Sequence, residues 1–177
     1  EAEGGRRGQR TILFVDEASA LRRIPSDGGP GTIVLSDSSG MRRTMPIITP
    51  LPGSRGVLLT ACPGNCSIAS AISVFDFTAD SVRELVTDAA GAWYSPSGHL
   101  LYTARTGGLY AVGFDLRRLA VTTGAVPIID DVAPASFTLS AAGSALYSVG
   151  SGGGTSSTLT WVSRDGRAEP LDANWRG

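Results

Sequence analysis

The chain has 177 residues, 42% of them hydrophobic and only 18% charged, with a net charge of −1. All fifteen basic residues are Arg, so nothing gives the chain the positive footprint of a nucleic-acid-binding domain. Apolar content at near-zero net charge can bury a core, which excludes disorder. There is no apolar run of roughly 18 residues to span a membrane. Nor is there a basic stretch followed by an apolar one, so no signal peptide is expected.

An internal repeat organises the sequence. The first trace of it is Gly8-Gln9-Arg10-Thr11-Ile12-Leu13-Phe14. A degraded copy runs from Pro46 through Leu51-Pro52-Gly53-Ser54-Arg55-Gly56-Val57-Leu58-Leu59. The clearest pair is Trp93-Tyr94-Ser95-Pro96-Ser97-Gly98-His99-Leu100-Leu101-Tyr102 and Phe137-Thr138-Leu139-Ser140-Ala141-Ala142-Gly143-Ser144-Ala145-Leu146-Tyr147. Phe14, Leu59, Tyr102 and Tyr147 close the four copies at spacings of 45, 43 and 45. Pro96, Gly98, Tyr102, Gly143 and Tyr147 are the residues that carry the motif.

Each copy reads as a hairpin, with apolar residues flanking a Pro- or Gly-centred turn. A third apolar run follows in each unit, at 20–24, 71–77, 109–114 and 159–163. A fourth follows at 32–35, 82–86, 126–129 and 168–171. Ser26-Asp27-Gly28-Gly29, Thr78-Ala79-Asp80-Ser81 and Arg164-Asp165-Gly166 supply three of the turns between them. The third unit has a longer link over 115–124, whose Leu-Arg-Arg-Leu has room for a single helical turn. No stretch holds a 3.6-residue period. Four short antiparallel strands per repeat of about 45 residues predict an all-β chain made of β-propeller blades. The expected blades are 8–36, 45–88, 91–130 and 135–172. Inner strands such as Val57-Leu58-Leu59 lack polar alternation, as expected for sheets covered on both faces.

These motifs resemble the TolB-like, WD-repeat-like six-bladed bacterial propellers, whose repeat places Ser-Pro-Asp-Gly before an apolar strand ending in Tyr or Phe. Ser95-Pro96-Ser97-Gly98 departs from it at Ser97, and Leu51-Pro52-Gly53-Ser54 departs further. The run from Trp93 to Val126, with Leu159-Thr160-Trp161-Val162 and Asp172-Ala173-Asn174-Trp175, is similar to propellers found C-terminal to bacterial serine/threonine protein kinase domains. The resemblance implies an incomplete ring of nearly four blades, because six at this repeat need about 260 residues. It also implies an extracytoplasmic sensing or interaction module, tethered through a segment outside this sequence. Its partner would be a protein or small-molecule ligand on a propeller face. The alternatives are the substrate-filtering propeller of a prolyl-oligopeptidase-like peptidase and a free TolB-like periplasmic scaffold. Open end blades would also favour self-association.

The chemistry-bearing residues are few. Cys62-Pro63-Gly64-Asn65-Cys66 suggests a small disulfide across a turn, with two reduced thiols in a loop as the alternative. Zinc needs about four ligands, and the chain has one His, so no metal is expected. A redox dithiol normally has two intervening residues and a helix start. His99 follows a hairpin Gly and lacks a Gly-x-Ser-x-Gly elbow, which reads as a turn residue. The Gly-rich run 150–157 has no Lys and no following helix, so it is no phosphate loop. Neither a catalytic residue nor a cofactor is expected, and any kinase activity would lie outside this segment. Asp130-Asp131 reads as a solvated strand end. Trp93 and Trp161 read as packing between blades. Arg22-Arg23, Arg42-Arg43 and Arg117-Arg118 read as surface charge.

Overall fold

The computed structural model describes residues 11–36, 43–64, 70–140, 142–150, 160–163 and 167–171. Among them there is no α-helix, only strands, turns and one 3-10 turn at Pro52–Ser54. The strands are β1 (Thr11–Val15), β2 (Leu21–Pro25), β3 (Thr32–Leu35), β4 (Arg43–Pro50), β5 (Gly56–Pro63), β6 (Ala71–Asp76), β7 (Ser81–Thr87) and β8 (Ala89–Ser95). They continue as β9 (His99–Ala104), β10 (Leu109–Asp115), β11 (Ala120–Val121), β12 (Val126–Ile129), β13 (Val132–Leu139), β14 (Ala145–Val149), β15 (Thr160–Val162) and β16 (Ala168–Pro170).

Every ladder is antiparallel and local. β1-β2-β3 form the first sheet and β4-β5-β6-β7 the second. The third runs β8-β9-β10, with both β11 and β12 along the far edge of β10. Among the described residues β13 pairs with β14 and β15 with β16, and residues 151–159 lie outside them. Among the described residues no ladder joins β14 to β15.

The sheets lie face to face in chain order, because their middle strands are apolar on both sides. Along β5, Val57 and Leu59 pack towards the first sheet with Leu21 and Phe75. Leu58, between them, points the other way, into a core shared with Leu100, Val112 and Phe114 of the third sheet. The period-2 alternation of a strand makes that division automatic. Gly56 at the start of β5 is required by closeness: a Cβ there would run into the carbonyl oxygen of Phe75 on β6. The third interface joins Leu109 and Trp93 to Phe137, Leu139 and Tyr147. β7, the last strand of the second sheet, is largely exposed.

The hairpins are made as their sequences suggest. Gly98 donates to the carbonyl of Ser95 (3.0 Å), and Gly143 to that of Ser140 (3.0 Å). Both glycines are left-handed, at φ +81° and +85°, which an L side chain resists. Pro96 stands where its fixed φ starts the turn, and Ala141 lies outside the described residues. Tyr102 is buried and stacked on Tyr110, with ring centroids 5.5 Å apart. Burial, with Tyr110 as a lesser cause, pushes its phenol above the usual range. Tyr147 is half-buried against the third interface.

One expectation needs correction, and one is made specific. The link over 115–124 makes a single turn over 116–119 and no longer helix. Asp115 Oδ1 accepts the N–H groups of Arg117 (2.9 Å) and Arg118 (3.1 Å), and Leu119 at φ 52° reverses the chain into β11. The last strand of this sheet is therefore in two pieces, broken at 122–125. There Thr123 Oγ1 takes the Gly113 N–H (2.7 Å), and Thr122 donates to the Gly113 carbonyl (2.8 Å). Trp161, expected in a core, is 57% exposed. It pairs with Glu169 in the two-stranded β15-β16 ladder. Trp93, by contrast, packs edge-on against Phe137 at 5.0 Å, between the third and fourth sheets.

Candidate functional site

The links between successive sheets repeat at the level of hydrogen bonds. Asp88 joins β7 to β8, and Asp131 joins β12 to β13; both are left-handed, at φ 52° and 58°. The carbonyl of Asp88 accepts from Arg105 N–H (2.8 Å), at the end of β9. The carbonyl of Asp131 accepts from Gly150 N–H (2.8 Å), at the end of β14. Each sheet entry is thus tied to the end of its own second strand.

At the joint between the third and fourth sheets this arrangement leaves a half-open cavity of about 440 Å³. Arg105, Thr106 and Gly107 of the β9–β10 turn line one side, and Asp131, Ser136 and Gly150 lie among the residues opposite. The wall is held from both sheets. Thr103 Oγ1, fully buried on β9, accepts from Ala135 N–H (3.2 Å), and Gly108 N–H donates to the Val132 carbonyl (2.8 Å). Ala135 is itself left-handed (φ 59°), at a bulge where the β13–β14 register shifts. Gly107 (φ +102°) faces the Val132 carbonyl, 3.4 Å from where a Cβ would stand.

Arg105 is the cation and Asp131 the carboxylate of this lining. The Arg105 Nε is buried and hydrogen-bonds nothing. Asp88 Oδ1 is 3.8 Å away, an ion pair too long for a hydrogen bond, and the Asp88 side chain is 76% exposed. The Arg105 side chain as a whole is 37% exposed. Sequence reasoning missed Arg105. The signal was present: Asp88 and Asp131 are 43 residues apart at equivalent links, and Arg105 ends the strand between them.

The chain is similar to the β-propeller domain of the Trilobed protease from Pyrococcus furiosus, described as having an open velcro topology. Identity is 12% and the TM-score 0.49, over 92% of this chain and 52% of that one. It is also similar to a protein from Lactobacillus plantarum, at 15% identity and TM-score 0.47, over 93% and 55%. The chain spans about half the length of these solved structures. No protein-family model matches it, and no curated protein does.

Of the residues singled out from sequence, Asp131 lines the cavity, and those that follow lie elsewhere. Ser97 Oγ is 3.0 Å from His99 Nδ1 and Ser95 Oγ is 2.8 Å from Ser97 Oγ, all exposed on the β8–β9 turn. That turn is at the opposite end of β9 from Arg105. No described carboxylate hydrogen-bonds His99, so this chain of hydroxyls lacks the orienting acid that a nucleophile–base pair uses. Cys62 is buried at the end of β5 and is not a free thiol. Its expected partner, Cys66, lies outside the described residues, as do residues 151–157, 164–166 and Trp175. Among the described residues no group of His, Cys, Asp and Glu could hold a metal ion.

Acidic side chains at strand ends serve the fold. Asp16 is held below the usual carboxylate range by Arg22, with Ala20 N–H assisting. For Asp76 burial works upward, but Arg55 and the N–H groups of Thr78 and Ala79 together outweigh it and lower its pKa. Asp130-Asp131 does end a strand, yet Asp131 also borders the cavity.

Proposed function

We propose that the chain is a non-catalytic binding module built from propeller blades, and that it serves as the sensing segment of a membrane-tethered bacterial serine/threonine kinase. The 45-residue repeat and the face-to-face order of the sheets support the propeller reading. The observation that carries the binding reading is the cleft at the third joint, lined by Arg105, Thr106, Asp131 and Ser136 among others. Clefts of about 300–1,000 Å³ with a few convergent polar groups are the usual form of a small-ligand site. A blocked thiol at Cys62 supports an extracytoplasmic setting.

Thermal-shift screening of the chain against amino acids, short peptides, sugars and nucleotides tests the binding reading. One class should raise the melting temperature saturably, without turnover. Ester or peptide hydrolysis abolished by His99→Ala would overturn it, and so would a screen without any saturable ligand. The kinase attachment is tested by the full reading frame. A kinase domain and one membrane span should lie upstream, whereas a Gly-x-Ser-x-Gly hydrolase domain downstream would exclude it.

A further inference from the structure

The repeat puts the same two sets of positions on opposite faces of successive sheets. Ile12 and Phe14 of β1 correspond to Val57 and Leu59 of β5, to Leu100 and Tyr102 of β9, and to Ala145 and Tyr147 of β14, at spacings of 45, 43 and 45. In the second, third and fourth sheets this pair packs towards the preceding sheet. The residue between the two is leucine in all four units: Leu13, Leu58, Leu101 and Leu146. Leu13, Leu58 and Leu101 each pack towards the following sheet. Each of the three joints is thus made from one face of each kind, and none pairs a face with its like. One face of each kind is left over. On the first sheet Ile12, Phe14 and Ile33 are exposed. Arg22, opposite Phe14, shares that face, but Asp16 pairs with it at 2.5 Å, so the face offers little to an ionic partner. On β14, Leu146 is 51% exposed, with exposed Thr138 opposite it on β13.

We propose that the first-sheet face of one copy of the chain seats on the β13-β14 face of a second copy, repeating between molecules the joint found three times within one. A second copy is the occupant because each chain carries both halves of that joint. The pairing that sets Leu58 against Leu100 and Tyr102 sets Leu146 of one copy against Ile12 and Phe14 of the other. The contact is heterologous, head to tail, and burial of exposed apolar surface drives it. It uses none of the residues that line the cleft at the third joint, so it stands or falls apart from the ligand-binding reading.

The test is sedimentation velocity on two single variants, Ile12→Glu and Leu146→Glu, alone and mixed. Each puts a charge into one of the two faces, which a buried apolar contact rejects. Each alone should stay at the monomer mass of 18.2 kDa at concentrations where the unaltered chain associates. The equal mixture should recover a one-to-one pair and nothing larger. Ile12→Glu keeps its β13-β14 face, Leu146→Glu keeps its first-sheet face, and the two faces left over are both spoiled. Association of Leu146→Glu as strong as that of the unaltered chain would overturn the proposal, because the first-sheet face would then be meeting itself. A mixture that stays monomeric, or an unaltered chain that does, would overturn it as well. Far-UV circular dichroism and the urea midpoint check that each variant is folded. Ile33→Arg and Thr138→Arg, on the same two faces, replace a variant that is not.

Discussion

Arg83, on the last strand of the second sheet, donates to the carbonyl of Leu119, a buried residue of the third sheet held at φ 52°. The same guanidinium reaches the Arg118 carbonyl at 2.7 Å, and Arg55 reaches that of Arg117 at 3.3 Å. Two arginines of one sheet thus hold three successive carbonyls of the next sheet's turn. The Leu119 side chain meanwhile plugs the shared core. Leu119→Ala should destabilise the chain by about 2–5 kcal/mol, as for other buried leucines. Leu119→Gly loses the same packing but relieves roughly 1 kcal/mol of left-handed strain. It should therefore be no less stable than the alanine variant in urea unfolding. A glycine variant clearly worse than alanine would show that the turn is not strained.

Asp76 sits under Arg55, with one oxygen at 2.5 Å and the other at 3.0 Å. Its folded pKa is below the ordinary 3.8. A lowered carboxylate contributes stability that is present above the unfolded pKa and is lost as pH falls through the folded one. Stability should therefore drop on acidification below about pH 4. Asp76→Asn should flatten that part of the curve. Urea midpoints measured from pH 7 to pH 2 give the comparison, and an unchanged slope in the variant would place the acid sensitivity elsewhere.

A disulfide between Cys62 and Cys66 predicts no free thiol in the unfolded, unreduced chain. Thiol titration with a chromogenic reagent should read zero before reduction and two after it, the total Cys count. Two thiols before reduction would exclude the bridge.

The first sheet presents Ile12, Phe14 and Ile33 to solvent, at 50%, 36% and 56% exposure, on the face away from the second sheet. An apolar sheet face of this kind favours association. Light scattering should give a mass above 18.2 kDa that rises with concentration. It should return to the monomer value in Ile12→Glu/Ile33→Arg. A wild-type monomer at high concentration would contradict this.

The strand runs were legible because their signal is local. Residues 32–35 and 126–129 form strands as their β-branched residues suggest, and Gly98 and Gly143 take the left-handed turns that only their lack of a Cβ makes easy. The single turn after Asp115 was legible in Leu-Arg-Arg-Leu, but its anchors were not. The Asp115 carboxylate holds it locally, and donors from Arg55 and Arg83 reach it from another sheet.

The sequence by itself determined the strand order, the hairpins and the period, since each depends on neighbours a few residues apart. Only the tertiary structure decided which side chains meet. Arg105 and Asp131 are ordinary surface types in the linear chain. They become the walls of one cavity because β13 packs beside β9, through Thr103 and Ala135, 32 residues apart. Burial depends on the neighbour across the interface, and a strand's own residues do not encode that neighbour.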